Sequence, residues 1–77
     1  MTTLATALKT AFTPTATEFS VQVIGGSIEL LRKQTSGATL VSVGQIKDQA
    51  VIVQNPAIGC VYEMHLSSGN PTVQADE

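Results

Sequence analysis

Along residues 19–24 apolar and polar side chains alternate, with Phe19, Val21 and Val23 on one side of an extended chain and Ser20 and Gln22 on the other. Successive strand side chains point to opposite faces, so this run predicts a half-buried β-strand. Ser27 to Gln34 returns with Ile28 and Leu30 on one face and Glu29, Leu31 and Lys33 on the other. Between them Gly25-Gly26 tolerates the positive φ angles of a primed turn, and a tight hairpin is expected there. Thr35-Ser36-Gly37 should turn the chain into a third strand, Ala38 to Val43, with Val41 and Val43 on its apolar side and Gly44 ending or bulging it. Ile46-Lys47-Asp48-Gln49 reads as a polar connection into Ala50 to Gln54, which is apolar on both faces and so expected to be central. Asn55-Pro56 stops that strand, because proline has no N–H to give a ladder. After Ala57-Ile58-Gly59 comes the longest alternation, Cys60, Tyr62, Met64 and Leu66 against Val61, Glu63, His65 and Ser67. Ser68-Gly69-Asn70-Pro71 is expected to turn the chain into a last short strand, Thr72 to Ala75, and Asp76-Glu77 to be a solvated tail. The pattern predicts an all-β protein, a small antiparallel β-sandwich or barrel of about six strands.

Residues 1–17 follow a different rule. They hold seven of the ten threonines, and Leu4, Leu8 and Phe12 recur at intervals of four, the spacing of one helix face. Threonine is a poor helix former, and a short isolated helix is marginal in water. A short helix and an extended arm both stay open, and either is ordered only if the apolar stripe is buried. The expected organisation is therefore an N-terminal arm or short helix over 1–17 and a β-sandwich domain over 18–77. Leu4, Leu8 and Phe12 are candidates for reaching a neighbouring subunit.

Charge narrows the function classes. Four Lys+Arg against six Asp+Glu give a formal charge of −2, and 13% of residues are charged where about 25% is usual. That argues against a nucleic-acid binder working by phosphate neutralisation, and Phe12, Phe19 and Tyr62 are too few to stack a run of bases. One cysteine forms no internal disulfide, and one Cys with one His falls short of a zinc ligand set, so no metal or cofactor is expected. The N-terminal residues lack the basic start and apolar stretch of a secretory leader, and Ala50-Val51-Ile52-Val53 is far short of the ~20 residues that cross a bilayer. No membrane association is expected. In a chain of 77 residues a single core rarely supplies more than about 3–5 kcal/mol. With 43% hydrophobic residues, the expected support is burial against another chain, as an oligomer or a docked subunit.

Cys60, Glu63 and His65 are the one set with the residue types for nucleophilic catalysis. Strand parity separates them: Cys60 and His65, five apart, fall on opposite faces, and Cys60 keeps the company of a buried structural cysteine. Glu63 and His65 share the outer face as a solvated pair. A phosphate-cradling role for Gly25-Gly26 would need a helix to follow, and a strand follows. No enzymatic activity is expected. Leu31, Ile52 and Val61 lie opposite their strands' main apolar stripes and carry two readings: a second sheet's share of a sandwich core, or a subunit contact.

The order Phe19-Ser20-Val21-Gln22-Val23, Gly25-Gly26, Ser27-Ile28-Glu29-Leu30-Leu31-Arg32, Val41-Ser42-Val43-Gly44, Asn55-Pro56, Gly59-Cys60-Val61-Tyr62, Ser68-Gly69 and Thr72-Val73-Gln74-Ala75 resembles the small β-sandwich virion proteins of tailed bacteriophages. These are capsid decoration (cement) proteins and head or tail accessory subunits. The resemblance spans about Phe12 to Glu77 and is one of strands and turns, without a diagnostic motif. It implies a structural role in the virion after synthesis in the host cytoplasm. The implied partner is a major capsid protein or another virion protein, bound by a homo-oligomer, with a trimer favoured. It carries over no catalytic set. A small binding module that works by strand addition at a sheet edge is the alternative.

Overall fold

In a computed structural model, which describes residues 2–35 and 37–77, the chain is all-β: the described residues form an antiparallel sheet of five strands and no helix. The strands are β1 (Thr3–Ala5), β2 (Glu18–Lys33), β3 (Val41–Lys47), β4 (Ala50–Gln54) and β5 (Val61–Asp76). Two of the expected turns do not exist. Gly25-Gly26 lies inside β2 and Ser68-Gly69-Asn70-Pro71 inside β5, so four expected strands merge into two long ones. These pair antiparallel almost end to end, from Ser20↔Asp76 to Lys33↔Val61.

What the glycines make instead of turns is a crease. The β2–β5 register slips between Ile24 and Gly26 and again between Ser27 and Ile28, as β-bulges do. Gly25 and Gly69 adopt φ of 91° and 75°, and a Cβ on Gly26 would stand 2.5 Å from the Ser68 carbonyl oxygen. Only glycine lets the backbones approach this closely. The slips reverse parity: Phe19, Val21 and Val23 are buried before the crease and Ile28 and Leu30 after it, matched on β5 by Val73 and Ala75 and by Tyr62 and Met64.

The ribbon is folded over on this crease. Phe19 to Arg32 would span about 43 Å if straight, yet the longest dimension of the molecule is 30 Å. Tyr62 lies across from Arg32, and its ring centroid is nonetheless 4.7 Å from that of Phe19. The two halves of one sheet thus face each other across a shared core.

β3 and β4 both pair with the side of β2 opposite β5. β3 runs beside residues 27–32 and β4 beside residues 18–22, so together they shadow β2 across the crease. Asp48-Gln49 is the break between them. Asp48 takes φ 47°, and its Oδ1 accepts from the N–H groups of Gly25 (2.7 Å) and Gly26 (3.2 Å), which ties the break to the crease. The third strand therefore begins at Val41, three residues later than expected, and takes in Gly44, Ile46 and Lys47. Val41 and Val43 are exposed, not buried: a register slip between Leu30 and Leu31 makes Val43 the extra residue of a bulge, and Val41, opposite Arg32, stands on the core side at the uncovered start of the strand. The expected turn Thr35-Ser36-Gly37 includes Ser36, which lies outside the described residues. β4 is an edge strand and not a central one.

The N-terminal segment is extended. β1 pairs with β5 through Thr3↔Asp76 and Ala5↔Ala75, and Phe12 bridges to Tyr62 with reciprocal backbone hydrogen bonds of 2.8 and 2.9 Å. Asp76-Glu77 is correspondingly no solvated tail. Asp76 ends β5 and is buried, and the Glu77 backbone pairs with Thr2.

Candidate functional site

The two margins of the folded sheet differ, and the difference locates the site. On the β5 margin the N-terminal segment closes the fold. Phe12 stacks on Tyr62 at 5.8 Å and meets Phe19 edge-on at 5.6 Å, which completes a buried aromatic trio. Leu4 and Leu8 pack against the same core. Asn55, read from sequence as a strand stop, is the polar hub of this closure. Its Nδ2 donates to the carbonyls of Ala16 (2.9 Å) and Pro14 (3.4 Å), its Oδ1 accepts from the Tyr62 hydroxyl (3.1 Å), and its N–H donates to Thr17 O (2.8 Å). Burial pushes the Tyr62 hydroxyl pKa up, opposed by the nearby Arg32 guanidinium, so the group remains a donor. The Glu77 carboxylate accepts from Thr15 N (2.8 Å), Thr15 Oγ1 (2.8 Å) and Ala16 N (3.0 Å), and these donors hold its pKa below the usual carboxylate range.

The β3–β4 margin is open. Among the described residues no strand pairs with the outer edge of either element. Between the edges lies a groove of about 430 Å³, whose apolar lining comes from Leu30, Val43, Ile46, Val51, Ile52 and Val53. Arg32 is its one charged lining residue. Val41 at 65% exposure, Ile52 at 63% and Val43 at 43% stand along this margin.

The residues singled out from sequence are thus distributed unevenly. Phe12 belongs to the chain's own core, Leu4 and Leu8 lean on it, and Val61 is buried. Leu31 is half-buried opposite Ser42 and Glu63, whereas Ile52 is exposed opposite Ser20, on the other side of the crease. Leu31, Ile52 and Val61 therefore form no single patch, and Ile52 alone lines the groove. Sequence reading missed Val41 and Val43 as margin residues. The signal lay in Gly44, which was recognised as a possible bulge but not used to shift the faces of its neighbours.

Cys60 is buried, and His65 Nε2 lies 2.9 Å from Glu63 Oε1 on the outer side of β5. Among the described residues no three His, Cys, Asp or Glu side chains gather as a metal site would need, and no helix is long and apolar enough to cross a membrane. The arrangement defines a folded all-β ribbon with one margin closed at both ends by its own N-terminal segment and one that no strand covers among the described residues. Compared with family models, curated proteins and solved structures, the chain matches none.

Proposed function

We propose that this chain is a structural subunit of a tailed-bacteriophage virion, a capsid decoration (cement) protein that is incorporated in many copies and stabilises the assembled particle by binding it. The observation that carries the reading is the open margin. Unpaired backbone beside exposed Val41, Val43 and Ile52 is the kind of edge that proteins cover or blunt with charge, and β4 carries no charged residue at all. A subunit that contacts its neighbours there adds stability by mass action, since it favours the assembled state over the separated one. The order of sequence features that resembles small virion proteins supports the same reading. It makes a major capsid protein or another head or tail protein the partner, and the virion the place of action.

The test is to add purified protein to empty heads that lack it. Saturable co-sedimentation in many copies and a raised disruption temperature are expected. Heads that neither bind the protein nor gain stability would overturn the reading. The bare edge of β4 also suits a second reading, a module that takes an extended peptide as an added strand. Binding of one peptide per chain, with heads ignored, would favour it.

A further inference from the structure

The open margin is self-complementary, and we propose that its occupant is a second copy of this chain, joined edge to edge about a two-fold axis at the Lys47–Asp48 link. The inference rests on reading that margin as an assembly surface and goes on to name what covers it.

Three observations select this arrangement. The first is parity. Ile46 pairs with the core residue Ile28 and Gly44 with Leu30, so the even positions of β3 face the core. Val51 pairs with Val21 and Val53 with Phe19, so in β4 the odd positions do. Antiparallel pairing of this margin with itself keeps core side against core side only when an even position meets an odd one. A two-fold between residues 47 and 48 does this, placing Gly44 opposite Val51 of the second copy. The Val43 bulge is then skipped, Ser42 meets Ile52 and Val41 meets Val53. Exposed Val41 becomes covered on the core side.

The second observation is the bend. Asp48-Gln49 sits where β2 creases at Gly25-Gly26, fixed by the Asp48 carboxylate. An axis at that point sets crease against crease, so both ribbons curve the same way and their two grooves open into each other. Any other register sets a bent edge against a straight one.

The third is charge. The margin from Val41 to Gln54 holds one cation and one anion, Lys47 and Asp48. The two-fold brings each Lys47 within reach of Asp48 of the second copy, whose Oδ1 is held by its own Gly25 and Gly26 N–H groups and whose Oδ2 is left for the lysine, and opposite charges attract where like ones repel. An isologous contact of this kind closes on itself and does not propagate into a fibre.

The single chain exposes 4392 Å², close to the roughly 4,450 Å² of an ordinary monomer of its mass. Margin variants are therefore expected to fold, which far-UV circular dichroism checks. In sedimentation equilibrium the wild type should run as a dimer. Val41→Glu, which places a carboxylate in the joined core while facing Arg32 in its own subunit, should weaken the dimer at least about 100-fold. Lys47→Glu, which sets two acidic pairs across the axis, should weaken it about tenfold. Lys47→Cys should give a disulfide-linked dimer on mild oxidation, and Ile58→Cys, on an exposed loop off the margin, should not. A monomeric wild type at high concentration overturns the second copy as occupant. If Val41→Glu then also abolishes head binding, the margin belongs to a shell protein and the proposed function stands. An oligomer indifferent to Val41→Glu and Lys47→Glu overturns the inference outright, whereas a dimer that behaves as described but ignores heads defeats only the virion reading.

Discussion

The same sheet ends in two different ways. At the two ends of the β5 margin the chain supplies its own cover: β1 adds a strand, Phe12 completes the aromatic trio, and Asn55 and Glu77 take up the backbone groups of Pro14 to Thr17. At the β3–β4 margin apolar side chains and backbone edge are left to solvent or to a neighbour. A small β-protein has to manage both edges of its sheet, and this one closes the ends of one edge with its own chain and leaves the other without a strand partner among the described residues. Substitutions on the sealed side should therefore unfold the protein, while those on the bare side should change only what it associates with.

The largest effect is expected at the centre of the sealed side. Tyr62→Ala removes a fully buried ring from between Phe12 and Phe19 and should cost about 3–5 kcal/mol in urea unfolding, enough to unfold a chain of this size at ambient temperature. A loss under 1 kcal/mol would mean that the N-terminal cover is not held by the trio. Next comes the crease. Gly26→Ala brings a methyl against the Ser68 carbonyl and should cost about 1–3 kcal/mol by overpacking, whereas Gly37→Ala, with open space around it, should change stability far less.

Asn55→Ala leaves the Tyr62 hydroxyl and two carbonyls without their partner, at an expected cost of about 1–3 kcal/mol. Its distinguishing sign is faster amide exchange at Phe12 than at Val51, on the opposite margin. A smaller and pH-dependent effect belongs to Glu77. Because its folded pKa is lowered, the stabilisation it gives is fully present above the usual carboxylate range and is lost as pH falls through the folded value. Glu77→Gln should remove that acid-side dependence from exchange at Thr15 and Ala16, and an unchanged pH profile would show that the carboxylate does not hold the segment. The smallest effect is expected at Ile52→Lys, which should leave the unfolding free energy within about 0.5 kcal/mol of wild type. A large loss there would erase the contrast between the margins.

How much of this was legible in the sequence follows from the range of each interaction. Alternation is local, so the burial of Phe19, Val21 and Val23, of Tyr62 and Met64, and of Val73 and Ala75 could be read directly, and with it the all-β class. Gly25-Gly26 and Ser68 to Pro71 have the composition of turns and equally of bulges. What decides between the two is that Gly26 meets Gly69 across the sheet, a juxtaposition that appears only once residues more than forty apart are paired. Leu66 keeps the face of Tyr62 and Met64 that alternation predicts and pairs with buried Ile28, yet beside the slip it is left exposed. Asn55 and Glu77 were opaque because each acts on segments about forty or more residues earlier. Phe12 shows a different failure: its periodicity with Leu4 and Leu8 was real but belonged to no helix, since the extended chain folds those three apolar side chains onto one core.

The pairing of β2 with β5 also sets the order of events in time. The first strand of the ribbon meets its main partner only after residues 61–76 have been made, with a closure of at least 27 intervening residues between Lys33 and Val61. Pairing across so long a loop is slow compared with zipping a local hairpin. The local β2–β3 pairing is therefore expected to form before the β2–β5 ladder closes, which leaves the β5-facing edge of β2 bare until last.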